Sequence, residues 1–92
     1  MASQIEQIAK EAQQVANAFR LGYEGEASTL YIDFIDALTA LLAAHSLTGN
    51  RVFNELFQVM IDAHKRGDKL FLADILQYEM PAILRQHIDE SP

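Results

Sequence analysis

Apolar residues recur along this chain of 92 residues at intervals of three and four, and no run alternates convincingly with period two. The first spacing is that of one face of an α-helix; the second, required by a half-buried strand, is missing. Near the amino terminus Ile5, Ile8, Ala12, Val15 and Phe19 fall on one helical face, behind Ser3 and Glu6 at the spacing of a capping box. Gly22 marks the stop, and Tyr23 to Gly25 form the predicted connection. A second helix is predicted from about Glu26 to His45, with Leu30, Phe34, Leu38 and Leu41 along its core side, and Thr48-Gly49-Asn50 punctuate its end. The third, about Arg51 to Arg66, carries Val52, Phe53, Leu56, Val59, Met60 and Ala63. Gly67 suits a left-handed cap and Asp68 the N-cap of a fourth helix that starts near Lys69. That helix is expected to kink or restart at Pro81, because the proline ring removes a backbone donor and crowds the preceding turn.

Four amphipathic segments with short connections predict an all-α fold: a single domain over residues 1–92, built as a compact antiparallel bundle of about four helices. Phe19, Phe34, Leu38, Leu56, Met60, Leu72 and Leu76 are its expected core. Arg66-Gly67-Asp68 also spells a cell-adhesion tripeptide, but the helix-end chemistry already accounts for all three residues.

Charge narrows the choice of partner. Thirteen acidic residues against seven basic ones give a formal charge of -6, which disfavours nucleic acid and anionic membranes and favours a basic protein partner. Cysteine is absent, so disulfides and thiolate metal sites are excluded. MASQIEQIAK has no basic stretch followed by an apolar one, and no uninterrupted apolar run approaches about 18 residues, so a cytoplasmic chain without a membrane segment is expected.

Two helix faces attract attention. Along the fourth helix Leu72, Leu76, Met80, Ile83 and Leu84 share one side, whereas Phe71, Asp74, Tyr78 and Arg85 fall on another. An aspartate inside a helix competes for backbone groups, so Asp74 requires either a partner or an outward position. Aromatic residues beside a carboxylate and an arginine suit a protein contact surface. The plainer alternative is a helix packed on two sides, with Asp74 held in a salt bridge. On the second helix Glu26, Asp33 and Asp36 project together with Thr29, Ala37, Ala40 and Ala44, in a segment from Leu21 to Asn50 that has no lysine or arginine. A solvated face is the plainer alternative there. The third helix instead neutralises itself through Arg51 with Glu55 and Asp62 with Arg66 at i,i+4 spacing. Glu26, Asp33, Asp36, Phe71, Asp74 and Tyr78 are therefore the candidate partner-binding residues.

Catalytic chemistry finds no such footing. His45, His64 and His87 are dispersed, and no E-x-x-H pair exists to build a carboxylate metal site in a bundle core. Asp33, Asp36, Asp62 and Asp74 lack the paired carboxylate motifs of a helical nucleotide pyrophosphohydrolase. No catalytic residue, metal or cofactor is expected.

LADILQYEMP, residues 72 to 81, preceded by Gly67-Asp68, resembles a segment of small helical bacterial proteins. Short acidic helical chains of this type are similar to immunity proteins of polymorphic and contact-dependent growth inhibition toxin systems. The resemblance implies a cytoplasmic, non-catalytic inhibitor that binds a cognate toxin domain, a nuclease in many such systems, whose phosphate-binding groove an acidic helix would mimic. The competing class is a helical adaptor or secretion chaperone that holds an amphipathic segment. Salt dependence separates the two, being strong for a charge-steered inhibitor and weak for an apolar groove.

Overall fold

The computed structural model describes residues 4–88, which form helices α1 (Gln4–Leu21), α2 (Glu24–Ala44), α3 (Arg51–Lys65), α4 (Lys69–Asp74) and α5 (Met80–His87). A π-helical turn, Ile75–Glu79, joins α4 to α5 without a break. No strand occurs among the described residues, in agreement with the helical period. Contacts between helix ends fix the directions. His45, which follows α2, bonds Gln4 at the start of α1 at 3.2 Å, so this pair runs antiparallel. Glu24 and Lys69 form an ion pair between the starts of α2 and α4, while Arg20 near the end of α1 reaches Asp74. The α4–α5 rod therefore descends against α1. α3 runs alongside in the direction of α1: Phe53 near its start meets the ring of His87, and His64 near its end meets Phe19 and Tyr31. The result is an up-down-up-down bundle.

All seven expected core residues are buried, with Leu38, Met60, Leu72 and Leu76 fully excluded from solvent. Phe53 and Ile75 join them in the interior. Val52 and Val59, placed by periodicity on the core face of α3, are instead 40% and 39% exposed. They lie at the margin of the face that buries Phe53, Leu56, Met60 and Ala63, on a helix that packs chiefly on α4. Leu30 is half-buried for a similar reason, at the edge of α2.

Three helices end in the same way. Tyr23 N–H donates to Ala18 and Gly22 N–H to Phe19 at the end of α1, and the same pair of bonds recurs after α3 from Asp68 to Ala63 and Gly67 to His64. This is the Schellman arrangement, and Gly22 and Gly67 supply the positive φ it requires, at 78° and 74°. Both were legible as stops. After α2, Leu47 donates to Leu42 and Ser46 to Ala43, but the left-handed position is a serine with φ 58°. Leu47 packs against the core and holds the turn in place. At the starts, Asn50 Oδ1 accepts from Val52 and Phe53 N–H, and Asp68 Oδ1 accepts from Phe71 N–H at 3.2 Å. α2 begins two residues before its expected start, with Tyr23 accepting from Ala27 N–H. Ser3 of the proposed capping box lies outside the described residues.

A π-helical turn directly precedes α5, and Pro81 stands in the first turn of that helix. Leu72, Leu76, Met80 and Leu84 are all buried and lie four residues apart. At about 100° per residue each step of four overshoots a full turn by about 40°, so a straight α-helix would rotate Leu84 about 120° away from Leu72. The π turn inserts one residue, as Met80 N–H reaches back to Ile75 C=O, and takes up most of that drift. The wider turn also removes the i−4 bond that proline cannot donate. A local change of helix type thus accompanies the expected restart at Pro81, and Pro81 itself is buried.

By length and composition alone α2 is apolar enough to cross a membrane. Asp33 and Asp36 stand near its middle, where a bilayer would penalise each charge by about 3 kcal/mol, and its Phe34 and Leu38 are buried in the bundle.

Replacement of Ser46 by glycine is expected to raise stability by about 0.5 to 1 kcal/mol, since it removes the left-handed strain of a β-carbon. A denaturant midpoint that falls would place the strain elsewhere. Leu38→Ala is expected to lower stability by about 2 to 5 kcal/mol through lost burial and a cavity. Chemical denaturation measures both.

Candidate functional site

Asp74 has a partner. Its Oδ1 lies 2.8 Å from a guanidinium nitrogen of Arg20, whose other nitrogen bonds the Gln77 side chain. One arginine therefore ties the last turn of α1 to both α4 and the π turn. The Asp74 side chain nevertheless remains 63% exposed, so it lies at the surface beside the bundle seam. Its aromatic neighbours differ. Phe71 is partly covered by the Arg66 guanidinium, 5.3 Å from the ring centroid, whereas Tyr78 is 63% exposed. Arg66 also pairs with Asp68 at 3.4 Å, so the tripeptide Arg66-Gly67-Asp68 is committed to the α3–α4 turn.

The carboxylates of α2 are placed otherwise. Glu26, Asp33 and Asp36 are exposed, and the cations of the described ion pairs go elsewhere, to Asp74, Glu55, Asp68 and Glu24. Glu26 lines the depression between α1 and α2 beside Gln14 and Asn17, and Asp33 lines its continuation beside Glu11. Asp36, about 60° round the helix from Asp33, points away from this depression.

The six candidates consequently form two groups and not one patch. Glu26 and Asp33 flank α1 on the side of Gln14, and Asp74 meets it through Arg20, about 120° round the same helix. Sequence reasoning missed Glu11 as a neighbour of Asp33, a pairing that depends on how α1 and α2 are registered. It also missed Arg20 as the partner of Asp74, because the two lie 54 positions apart.

A second, smaller cavity of about 170 Å³ lies where α1, α2, α3 and α4 meet, walled in part by Ser28, His64 and Lys69. His64 is held there by its ring contacts with Phe19 and Tyr31, and burial raises the Tyr31 phenol above its ordinary pKa. Among the described residues no polar or charged side chain is fully buried, and no group of three or more histidine or acidic residues is arranged to hold a metal ion.

A family model described as a domain of unknown function, DUF8042, matches residues 1–89, and the chain belongs to that family. No curated protein and no solved structure matches it.

A double-mutant cycle of Arg20→Ala and Asp74→Ala is expected to give a coupling energy below about 1 kcal/mol, because an ion pair this exposed is screened by water. A coupling of several kcal/mol in thermal or urea unfolding would make the pair a principal support of the bundle.

Proposed function

We propose that this DUF8042 protein is a non-catalytic binding module for a basic protein, acting as an immunity protein that covers a cognate toxin domain in the cytoplasm. The carrying observation is the row of exposed carboxylates on α2, Glu26, Asp33 and Asp36, in a segment from Leu21 to Asn50 with no lysine or arginine. Charges left without local compensation raise the field outside the protein, which accelerates encounter with a partner of opposite sign. A nuclease toxin is such a partner, since its substrate groove is built for phosphates. Tyr78, and to a lesser extent Phe71, supply exposed aromatic surface of the type that anchors protein interfaces. No membrane, nucleic acid or cofactor has a part in this reading.

A second reading has its own observation. α2 carries the apolar Ile32 at 62% exposure, which suits an adaptor or secretion chaperone that holds an amphipathic segment.

Sequencing of the adjacent upstream reading frame, followed by stopped-flow or surface-resonance titration against any toxin domain that it encodes, discriminates between them. For the immunity role, association is expected to slow as salt is raised, and Asp33→Lys with Asp36→Lys to slow it further and flatten the salt dependence. Tyr78→Ala is expected to act on dissociation, accelerating it by about tenfold. Association indifferent to salt favours the adaptor; absence of binding removes the immunity role.

A further inference from the structure

We propose that the groove between α1 and α2 seats a single basic amphipathic helix presented by the protein partner. This rests on the reading of the chain as a binding module for a basic protein, and it names the seat and the form of the ligand. Three adjoining depressions, of about 560, 200 and 440 Å³, run the length of the α1–α2 hairpin. The first two share Glu11 and Ala37, and the last two share Gln14 and Leu30, so they make one continuous channel. Along α2 this channel extends from Tyr23 to Ala44, about 30 Å at the helical rise. That is the span of a helix of some five turns.

The channel specifies its occupant by chemistry. Its accessible apolar surface is supplied by Ala40, Ala44 and the half-buried Leu30 and Ala37, above Ile8, Val15, Phe34 and Leu41 that are already buried in the bundle, so the occupant needs an apolar stripe to cover it. The α2 wall beyond Asp33 is made of Ala37, Ala40 and Ala44, small enough for another helix axis to approach closely. The α1 wall presents Gln4, Gln7, Gln14 and Asn17, whose amides suit a polar flank. Three carboxylates, Glu11, Glu26 and Asp33, line the channel, and no lysine, arginine or histidine does. Glu26 and Asp33 are two turns apart, so lysine or arginine at seven-residue spacing on the occupant would meet both.

The backbone argues for a helix over an extended peptide. An all-helical surface has no strand edge to bond an extended chain, so a segment lying on an apolar floor must satisfy its own N–H and C=O groups. Charge argues against a second copy of this chain, whose formal charge of -6 would be brought against an acidic channel. Asp36, Phe71 and Tyr78 lie outside the channel and have no part in it.

The probe is a synthetic helical peptide of about 18 residues, with leucine and alanine along one face and lysines spaced by seven beside it. Its controls are a scrambled peptide of the same composition and a version with glutamate for lysine. Binding is read by fluorescence anisotropy, and circular dichroism verifies that each variant remains folded. Ala40→Trp, which fills the channel, is expected to weaken binding by about tenfold or more, as is the joint change Glu11→Gln, Glu26→Gln and Asp33→Asn. Ala43→Trp, on an exposed position outside the channel, is expected to leave it unchanged. Equal affinity for the scrambled peptide, or indifference to Ala40→Trp, overturns the proposal. So does self-association of the wild type that Ala40→Trp abolishes, since a second copy would then be the occupant. The same variants and Tyr78→Ala, titrated with a toxin domain found in the adjacent reading frame, separate the two levels of argument. Toxin binding that ignores Ala40→Trp but is weakened by Tyr78→Ala keeps the binding role and overturns the seat. Peptide binding that obeys the variants while the toxin domain is not bound keeps the seat and removes the immunity role.

Discussion

Burial of one face of α1 is the constraint on which the bundle depends. α1 contacts α2, α4, the π turn and α5, and through Phe19 it also meets His64 of α3. Its inward side changes in size along the axis: Ala12 and Ala16 are fully buried and small, which lets neighbours approach, while Val15 and Phe19 fill the wider spaces. Because hydrophobic burial is roughly proportional to area and has no direction, a helix shared by this many neighbours determines where each must lie. α3 is the exception in weight. It leans chiefly on α4, and its exposed Val52 and Val59 show where the burial runs out.

The last helix must satisfy two demands at once, and the π turn reconciles them. Four of its buried residues, Leu72, Leu76, Met80 and Leu84, lie four apart, a spacing that drifts round an undistorted α-helix, and its sequence includes a proline that cannot donate to the ladder. One inserted residue answers both, since it returns Met80 and Leu84 toward the seam and passes the missing bond over Pro81. Arg20 bonds residues on both sides of the junction, Asp74 before the π turn and Gln77 inside it. That gives the mid-helix aspartate a role that propensity alone would not suggest: it stands where the helix changes type, and its charge is met from the neighbouring helix.

Legibility followed the range of the interaction responsible. Gly22, Gly67 and Asp68 were readable because each residue type favours its observed conformation by itself, through a positive φ or a side-chain cap. The apolar faces of α1 and α2 were readable because both helices keep a regular period over many turns. Ser46 was not, since a serine enters the left-handed region only when tertiary packing of Leu47 holds the turn. The π turn was partly written in the four-residue spacing of Leu72, Leu76, Met80 and Leu84, but that spacing passes for an ordinary amphipathic stripe until its angular drift is added up. The candidate surface was legible as charge and not as shape. Glu26 and Asp33 could be read as uncompensated, whereas their union with Glu11 along one channel depends on the register between two helices, which no local pattern encodes.

The acidic residues divide by task, and the division bears on how the fold and the surface are coupled. Glu24, Asp68 and Asp74 are paired with Lys69, Arg66 and Arg20 around the end of the bundle where α1, α2 and α4 meet. Glu11 and Asp33 instead face one space, and the same channel continues to Glu26. Like charges across a wet groove repel by an amount that water reduces to about 1 kcal/mol or less for each close pair. That repulsion falls on exposed and half-exposed carboxylates along the outer side of the α1–α2 hairpin, above the buried residues that line it. A cation placed in that space would exchange repulsion for attraction without disturbing the packing beneath. Since any ligand that binds only the folded state stabilises it, the gain would appear first in α1 and α2, the pair whose registration creates the channel.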